Sequence, residues 1–293
     1  MTQVYECFWY FFAYAFLGWC CEVCFAAAKD GKFVNRGFLN GPVCPIYGVG
    51  VVIVVELLTP VKENLFLLFV CSVLLTSALE WVTGFVLEKV FHQKWWDYSD
   101  MPFNLGGYVC LLFSLIWGLA CVLIMDVIHP MVAGLIHMIP HTLGVVLLVV
   151  LTVLLLCDLA ATVSAIAKLN RRLVQMDELA AKIRAASDEL GENLAEGMLT
   201  LTERGEALRE NLEEKRSVRE EEQAERKAAR ADALRRRRAA LEELRRANED
   251  LLDTLHFGQR RLLRAFPKMK STRHAAALEA LRARMNRGRE HKS

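Results

Sequence analysis

The sequence has 293 residues, of which 54% are hydrophobic, and its formal net charge is +2. An average soluble domain is less apolar than this, so the composition argues against an ordinary soluble protein. The charge is divided unevenly, because residues 1–167 hold 6 basic and 11 acidic side chains, whereas residues 168–293 hold 30 and 23. We therefore expect a membrane domain at 1–167 and a charged tail at 168–293.

The N-terminal sequence MTQVYECF has no basic residue before the first apolar run. A secretory signal peptide begins with positive charge, so this run is expected to be retained. All nine cysteines lie between Cys7 and Cys157, mostly inside hydrophobic runs. That placement argues against a disulfide scaffold and favours helix packing, so no metal or other cofactor is expected.

Five apolar stretches come close to the length that a membrane-spanning helix needs. About 20 residues cross about 30 Å of hydrocarbon. The pattern therefore predicts an all-α integral membrane protein with about five transmembrane helices. The second stretch is the shortest and is followed by Pro60. The predicted spans cover residues 4–28, 43–58, 65–91, 108–128 and 139–167.

The basic residues of the connecting segments predict the orientation. With the N-terminus outside, the outer segments hold only Lys62, whereas the inner segments hold eight basic residues, as is typical of cytoplasmic loops. The outer loop between the last two spans is predicted to cover residues 129–141, where Pro140 opposes a regular helix. The tail is then cytoplasmic. The inner basic residues are Lys29, Lys32, Arg36, Lys89, Lys94, Lys168, Arg171 and Arg172.

The first inner loop continues into the second span as NRGFLNGPVCPIYGVG, residues 35–50. Its glycines permit positive φ or a close backbone approach, and Pro42 and Pro45 cannot lie inside a regular helix without freeing a carbonyl. Non-helical backbone at membrane depth needs protein or water as a partner. Two structures fit: a broken or re-entrant segment that lines a cavity, and an ordinary loop before a helix that starts with proline.

The second inner loop, HQKWWDYSDMPFNLGG at 92–107, mixes aromatic and polar residues. Trp95, Trp96 and Tyr98 suit the membrane interface. Asp97 and Asn104 interleave with these rings, which favours a built site over a plain aromatic belt.

Acidic residues also occur inside the predicted spans. A carboxylate in hydrocarbon is costly unless it is protonated, paired or wet. Our hypothesis is an inward-facing polar cluster of Glu22, Arg36, Glu80, Glu88 and Asp97. The alternative is that each glutamate lies singly at an interface or between two helices.

Four segments resemble the bacterial family of ABC-transporter permeases known as type IV or CmpB-like. They are GWCCE (18–22), NRGFLNGPVCPIYGVG (35–50), LEWVTGFVLE (79–88) and WWDYSDMPFNLGGYVCLLFSLIWG (95–118). The resemblance covers residues 1 to about 170, with a weaker similarity in LLRAFPKMKS at 262–271. It implies a permease-like membrane domain in the bacterial plasma membrane and no known substrate. Tyr108 departs from the family pattern, in which a basic residue usually follows the position of Gly107.

The resemblance carries a set of motif residues over to this sequence. Without Gly18 and with Glu88 added, they form the predicted site. They are Gly18, Glu22, Asn35, Arg36, Gly37, Gly41, Pro42, Pro45, Tyr47, Gly48, Glu80, Trp95, Trp96, Asp97, Tyr98 and Asn104.

The tail is rich in Ala, Glu, Lys, Leu and Arg, a composition typical of helices. One apolar seam begins at Leu173 and extends weakly to Leu208, and a second runs from Leu241 to Leu255, with a charged stretch at 213–230 between them. The tail is therefore either a coiled coil between two protomers or an intrachain hairpin. Its basic clusters favour anionic lipid as a partner, and nucleic acid is not expected.

Two functions follow from these features. The first is a permease-like subunit with an inner polar cavity. A separate ATPase subunit is expected, because the sequence has no GxxxxGK[ST] loop. A homodimer is expected as well, because five spans are few for a solute path. The alternative is a membrane-anchored scaffold or sensor that recruits a partner through the tail. An intramembrane enzyme is disfavoured, since neither a nucleophile–base pair nor HExxH is present.

Overall fold

The computed structural model describes residues 3–31, 33–207 and 216–290, and it is about 80% helical. Short strands pair in two places, β1 (Gln93–Lys94) with β4 (Lys270–Ser271) and β2 (Asn104–Leu105) with β3 (Val109–Cys110), both antiparallel. The helices are α1 (Gln3–Asp30), α2 (Pro45–Leu58), α3 (Leu65–Phe91), α4 (Leu111–Leu123), α5 (His129–His137), α6 (His141–Ala207), α7 (Arg216–Asp253), α8 (Phe257–Ala265) and α9 (Ala275–Glu290).

Four helical stretches in the described part of the chain are long and apolar enough to cross a membrane. They are Gln3–Lys29, Leu65–Phe91, Leu111–His137 and His141–Glu192, and Pro45–Val61 is a shorter apolar helix. The prediction of a helical membrane protein is therefore confirmed. The number of helices that cross, and their direction, stay predictions.

The fourth predicted span differs most from the structure. It was expected to end at residue 128, but the helix continues to His137 through a π-helical turn, Ile124–Ile128. Pro130 lies in the first turn of α5, where its missing N–H costs little, and the wide π turn before it accommodates the ring. The expected outer loop is therefore mostly helical, and only Met138–Pro140 separates α5 from α6.

The membrane helices pack in pairs, α1 against α2 and α3 against α4. Gly118 on α4 permits the second pairing, because a Cβ there would overlap the Val73 side chain on α3 and would lie 3.3 Å from Phe69. A core between the helices includes the buried side chains of Tyr10, Tyr14, Val51, Val54, Val55, Leu58, Leu68, Cys121, Met125 and Ile136.

The chain divides into two compact units. Unit 1 comprises Met1–Asn170 and His256–Leu278, and unit 2 comprises Arg171–Leu255 and Glu279–Ser293. Residues 256–278 were predicted to belong to the tail, but they pack with the membrane helices.

Within unit 2, α6 and α7 form an antiparallel hairpin. Arg172 on α6 donates to Thr254 Oγ1 at 3.3 Å, and Glu189, 17 residues further along, pairs with Arg237 at 2.6 Å. Arg237 precedes Thr254 by the same number of residues. These contacts favour the intrachain hairpin, and an intermolecular coiled coil stays a prediction. The predicted seam positions Leu194, Leu201 and Leu208, and most of the charged stretch 213–230, lie outside the side chains that the structure describes.

We predict that Gly118→Leu lowers the stability of the protein by about 1–3 kcal/mol, the usual cost of overpacking. Gly134→Leu is the matched control, because a Cβ at that helical glycine has nothing within 4 Å. Thermal unfolding of the detergent-solubilised protein measures both variants. Equal unfolding temperatures for the two would contradict the α3–α4 packing.

Candidate functional site at the loop face

Most of the predicted site residues lie at the end of unit 1 where α1 and α3 finish. Three segments meet there: residues 33–44, residues 92–110 and residues 256–278. We call this surface the loop face. Much of its backbone is non-helical, so its N–H and C=O groups need partners other than helix hydrogen bonds.

Asn35 sets the shape of the first segment. Its Oδ1 accepts hydrogen bonds from Trp19 Nε1 at 2.8 Å and Gly37 N at 3.0 Å, and its Nδ2 donates to the Asn40 carbonyl at 2.7 Å. One amide side chain thus closes the loop from residue 35 to residue 40 and ties it to α1.

Asp158 on α6 accepts hydrogen bonds from the N–H side of this loop. Its carboxylate receives Asn40 N at 3.1 Å, Asn40 Nδ2 at 2.7 Å and Gly41 N at 2.7 Å. A Cβ on Gly41 would lie 3.2 Å from Asp158 Oδ2, so the glycine permits the close approach. These hydrogen bonds stabilise a carboxylate that would otherwise be costly near hydrocarbon.

Arg261 on α8 donates to the carbonyl side of the same loop. Its guanidinium bonds to the oxygens of Gly37, Phe38 and Leu39, each at 2.8 Å. Burial lowers the pKa of Arg261 below its ordinary value, and the nearby Asp158 carboxylate opposes this shift. The loop therefore lies between an anion that binds its N–H groups and a cation that binds its carbonyls.

The structure brings Glu22, Arg36 and Tyr47 together. Tyr47 Oη donates to Glu22 Oε1 at 2.7 Å, and Arg36 Nε lies 3.5 Å from Glu22 Oε2. The Tyr47 ring packs where a Cβ of Gly18 would be. The glutamate near the loop-face end of α1 is therefore both hydrogen-bonded and ion-paired.

The start of α2 matches the second of the two structures that the sequence left open. Pro42 lies in the loop, Cys44 N bonds to the Ala15 carbonyl at 2.9 Å, and α2 then begins at Pro45. Gly48 permits a close approach to α1, since a Cβ there would lie 2.5 Å from the Phe11 carbonyl. In the described residues positive φ occurs at other glycines, Gly31, Gly106 and Gly107, and not at the motif glycines.

Asn104 organises the second segment. Its Nδ2 donates to the carbonyls of Ser99 and Met101 at 3.2 and 2.8 Å, and its Oδ1 accepts Gly107 N at 3.3 Å. Trp96 Nε1 donates to the Tyr108 carbonyl at 2.8 Å, which ties the two ends of the segment together.

The acidic residues of the predicted cluster do not contact one another but form separate pairs with other side chains. Tyr98 Oη donates to Glu80 Oε1 at 3.3 Å, whereas Glu80 Oε2 is buried and has no hydrogen-bond partner in the described residues. Tyr108 Oη donates to Glu88 Oε2 at 2.6 Å, and Lys94 lies 3.8 Å from the same oxygen.

The surroundings of Tyr98 keep its hydroxyl group protonated. Burial raises the pKa of Tyr98 above its ordinary value, and the Glu80 and Glu22 carboxylates raise it further. The phenol therefore stays neutral and donates its hydrogen bond to Glu80.

The C-terminal segment completes the loop face. Strand β4 pairs with β1, with Gln93 opposite Ser271 and Lys94 opposite Lys270. Leu262, Leu263 and Met269 are at most 2% exposed, so the segment is firmly packed.

Two side-chain contacts fix the same segment to residues of the second loop. Phe266 meets the buried Trp95 edge to face, with 4.8 Å between ring centroids. Lys270 Nζ lies 2.6 Å from Asp97 Oδ2. Burial alone would raise the pKa of Asp97, but hydrogen bonds from Lys270 and Ser99 outweigh burial and hold it at about 2.

Sequence reasoning missed Asp158, Arg261 and Lys270. Asp158 is the one acidic residue in the predicted span 139–167, and this isolation was an available signal. Arg261 and Lys270 flank or lie within the weaker similarity at 262–271, which was not connected with the loops. Within the described residues no three His, Cys, Asp or Glu side chains are placed to hold a metal ion.

The apolar helices and the hydrogen-bonded loop face define a helical membrane protein. The model of the family described as "Putative ABC-transporter type IV" matches residues 9–163, more than half of the chain, and the chain belongs to that family. No solved structure matches the chain. The family match includes Asp158 but ends before α8, so Arg261 and Lys270 lie outside it.

We predict that Arg261→Ala destabilises the protein by about 2–4 kcal/mol, because charged hydrogen bonds are lost and three carbonyls lose their donor. Arg264→Ala on the same helix is the control, since Arg264 is exposed. Amide hydrogen exchange of residues 257–272 measures the docking of the segment directly. Exchange that is equally slow in both variants would contradict the role of Arg261.

We predict that Asp97 stabilises the fold at neutral pH and that this contribution is lost in acid. The pKa of Asp97 in the folded state, about 2, lies below the ordinary value of about 3.9. The contribution is therefore fully present above about pH 4 and lost as the pH falls toward 2. The stability difference between wild type and Asp97→Asn should be constant from pH 8 to 5 and shrink below pH 4. A difference that persists unchanged to pH 2.5 would refute the assignment.

Proposed function

We propose that the chain is the permease-like membrane subunit of an ABC-type transporter, with the loop face in the cytoplasm as the docking surface for a separate ATPase subunit. Membership of the family supports a transporter-related membrane role. The 293 residues contain no phosphate-binding GxxxxGK[ST] loop, so the ATPase site is assigned to another chain.

The distribution of positive charge supports the orientation. Lys29, Arg36, Lys89 and Lys94 lie at the loop-face end of the helices, whereas Lys62 lies beyond the other end of α2. The excess of Lys and Arg favours the loop face as the cytoplasmic side. The N-terminus is then outside, and the hairpin that follows α6 is cytoplasmic, in a bacterial plasma membrane.

Phe103, at the tip of the second loop, is the residue that most strongly supports docking of a partner here. It is 82% exposed and has a φ of 53°, a backbone conformation that an aromatic residue rarely adopts. The hydrogen bonds of the adjacent Asn104 hold this conformation. Strain of this kind is concentrated at functional sites, where surrounding structure maintains it. An exposed aromatic side chain on a rigid loop is suited to enter a pocket of a partner.

A polar group inside α3 supports a path for a solute. Glu80 lies within α3, and one of its carboxylate oxygens is buried without a hydrogen-bond partner among the described residues. This oxygen offers a polar group that a solute or a proton can bind. An open apolar groove of about 240 Å³ lies elsewhere, between α1 and α2. It is lined by Cys7, Phe8, Phe11, Val49, Val52 and Ile53. A homodimer would supply the further helices that a path for a solute needs.

The alternative function is a membrane-anchored scaffold or sensor. The observation that favours it is the α6–α7 hairpin, which presents an arginine-rich surface that includes the exposed Arg235, Arg236 and Arg238. No enzymatic activity is part of either proposal.

We predict that a photoreactive phenylalanine analogue at position 103 crosslinks an ATPase subunit in native membranes. The matched control is position 66, which is 78% exposed and lies at the opposite end of α3. Mass spectrometry identifies the crosslinked protein. Crosslinks to an ATPase at 103 and not at 66 would support docking. If position 103 yields none and a position on α7 captures a soluble partner, the scaffold function replaces the transporter function.

A further inference from the structure

Aromatic rings and lysines from α3 and the second loop form a continuous cluster near the loop-face end of α3. Trp81 and Phe85 stack with ring centroids 5.3 Å apart, and Tyr108 meets both edge to face. Lys89 Nζ lies 5.5 Å from the Phe85 ring centroid, and Lys94 Nζ lies 5.1 Å from that of Tyr108. We call these five residues the aromatic–lysine cluster.

Three members of the cluster lie on one face of α3. Trp81, Phe85 and Lys89 recur every four residues and therefore share a face. Gly84 leaves room for the Tyr108 ring, since a Cβ there would lie 2.8 Å from Tyr108 Cδ1.

The cluster faces the surroundings of the helix bundle. Phe85 is 38% exposed, and its neighbours Val82 and Val86 are 50% and 48% exposed. Because α3 is a membrane helix, this surface meets lipid. Lys89 is two residues before the end of α3, so its Cα lies about 3 Å from that end, at the level where head groups begin.

The charges of the cluster leave one cation without an anion. Glu88 already accepts the Tyr108 hydroxyl and lies 3.8 Å from Lys94. Lys89 has no carboxylate within 4.0 Å among the residues that the structure describes. Two lysines and one glutamate give a formal excess of one positive charge at the membrane surface.

This combination fits an amphiphile whose anionic group lies above an apolar part. A soluble anion would gain nothing from the stacked rings of Trp81 and Phe85. A choline head group would seek an aromatic face, but the rings of Phe85 and Tyr108 already face lysine ammonium groups. We propose that the aromatic–lysine cluster binds one anionic phospholipid, with its phosphate on Lys89 and Lys94 and its upper chain segment against Trp81 and Phe85.

Native mass spectrometry of the full-length protein tests this site with added phosphatidylglycerol or phosphatidylcholine. We expect one phosphatidylglycerol to bind in preference to phosphatidylcholine. Lys89→Gln should weaken this binding about fivefold, the effect of about 1 kcal/mol per lysine. Lys29→Gln is the matched control, a lysine in the last turn of α1 at the same end of the bundle. Phe85→Leu, which keeps every charge, tests the aromatic contribution and should weaken binding by a smaller factor.

Three results would overturn the proposal. They are equal binding of the two lipids, unchanged phosphatidylglycerol binding in Lys89→Gln, and an equal loss in Lys29→Gln, which would indicate unspecific attraction to basic residues. Unfolding temperatures of the variants within a few degrees of wild type establish that a loss reflects the site and not misfolding.

Discussion

The backbone of residues 37–41 imposes the constraint on which the loop face depends. These residues lie where the chain leaves the membrane helices, and their N–H and C=O groups are not paired within a helix. Unpaired backbone groups away from water cost free energy, so each needs a partner. Asp158 supplies the acceptor and Arg261 the donors. The loop thus lies between two opposite charges, and each charge is bound by main-chain dipoles.

This arrangement explains why residues 256–278 pack with the membrane helices although more than eighty residues of hairpin precede them. Arg261 binds the first loop, while β4 and Lys270 bind the second loop. The residues of the family motif are consequently not bare loops but parts of a surface that includes a C-terminal segment. An ATPase subunit that docks on the loop face would meet this composite surface. Phe103 projects from it because Asn104 fixes the loop around it.

Local patterns predicted the helices well, whereas long-range pairs escaped them. Helix α3 has the predicted bounds because Asn64 caps its start and His92, at φ 55°, ends it. The Glu22–Arg36 pair followed from motif residues close in sequence. The partners of the 37–41 loop lie more than one hundred residues away, and no periodicity indicates such pairings. The continuation of the fourth apolar helix to His137 was not predicted, because residues 129–141, which contain two prolines, were expected to form a loop.

Zero-length carbodiimide coupling of the unmodified protein in its native membrane tests the composite loop face most directly. The reagent joins a lysine and a carboxylate only when they are in contact. The Lys94–Glu88 pair, 3.8 Å apart within one region of the sequence, serves as the internal control. We expect an isopeptide bond between Lys270 and Asp97 as well, detected by mass spectrometry of the digested protein. Coupling of Lys94 to Glu88 without any coupling of Lys270 to Asp97 would contradict the docking of the C-terminal segment on the second loop.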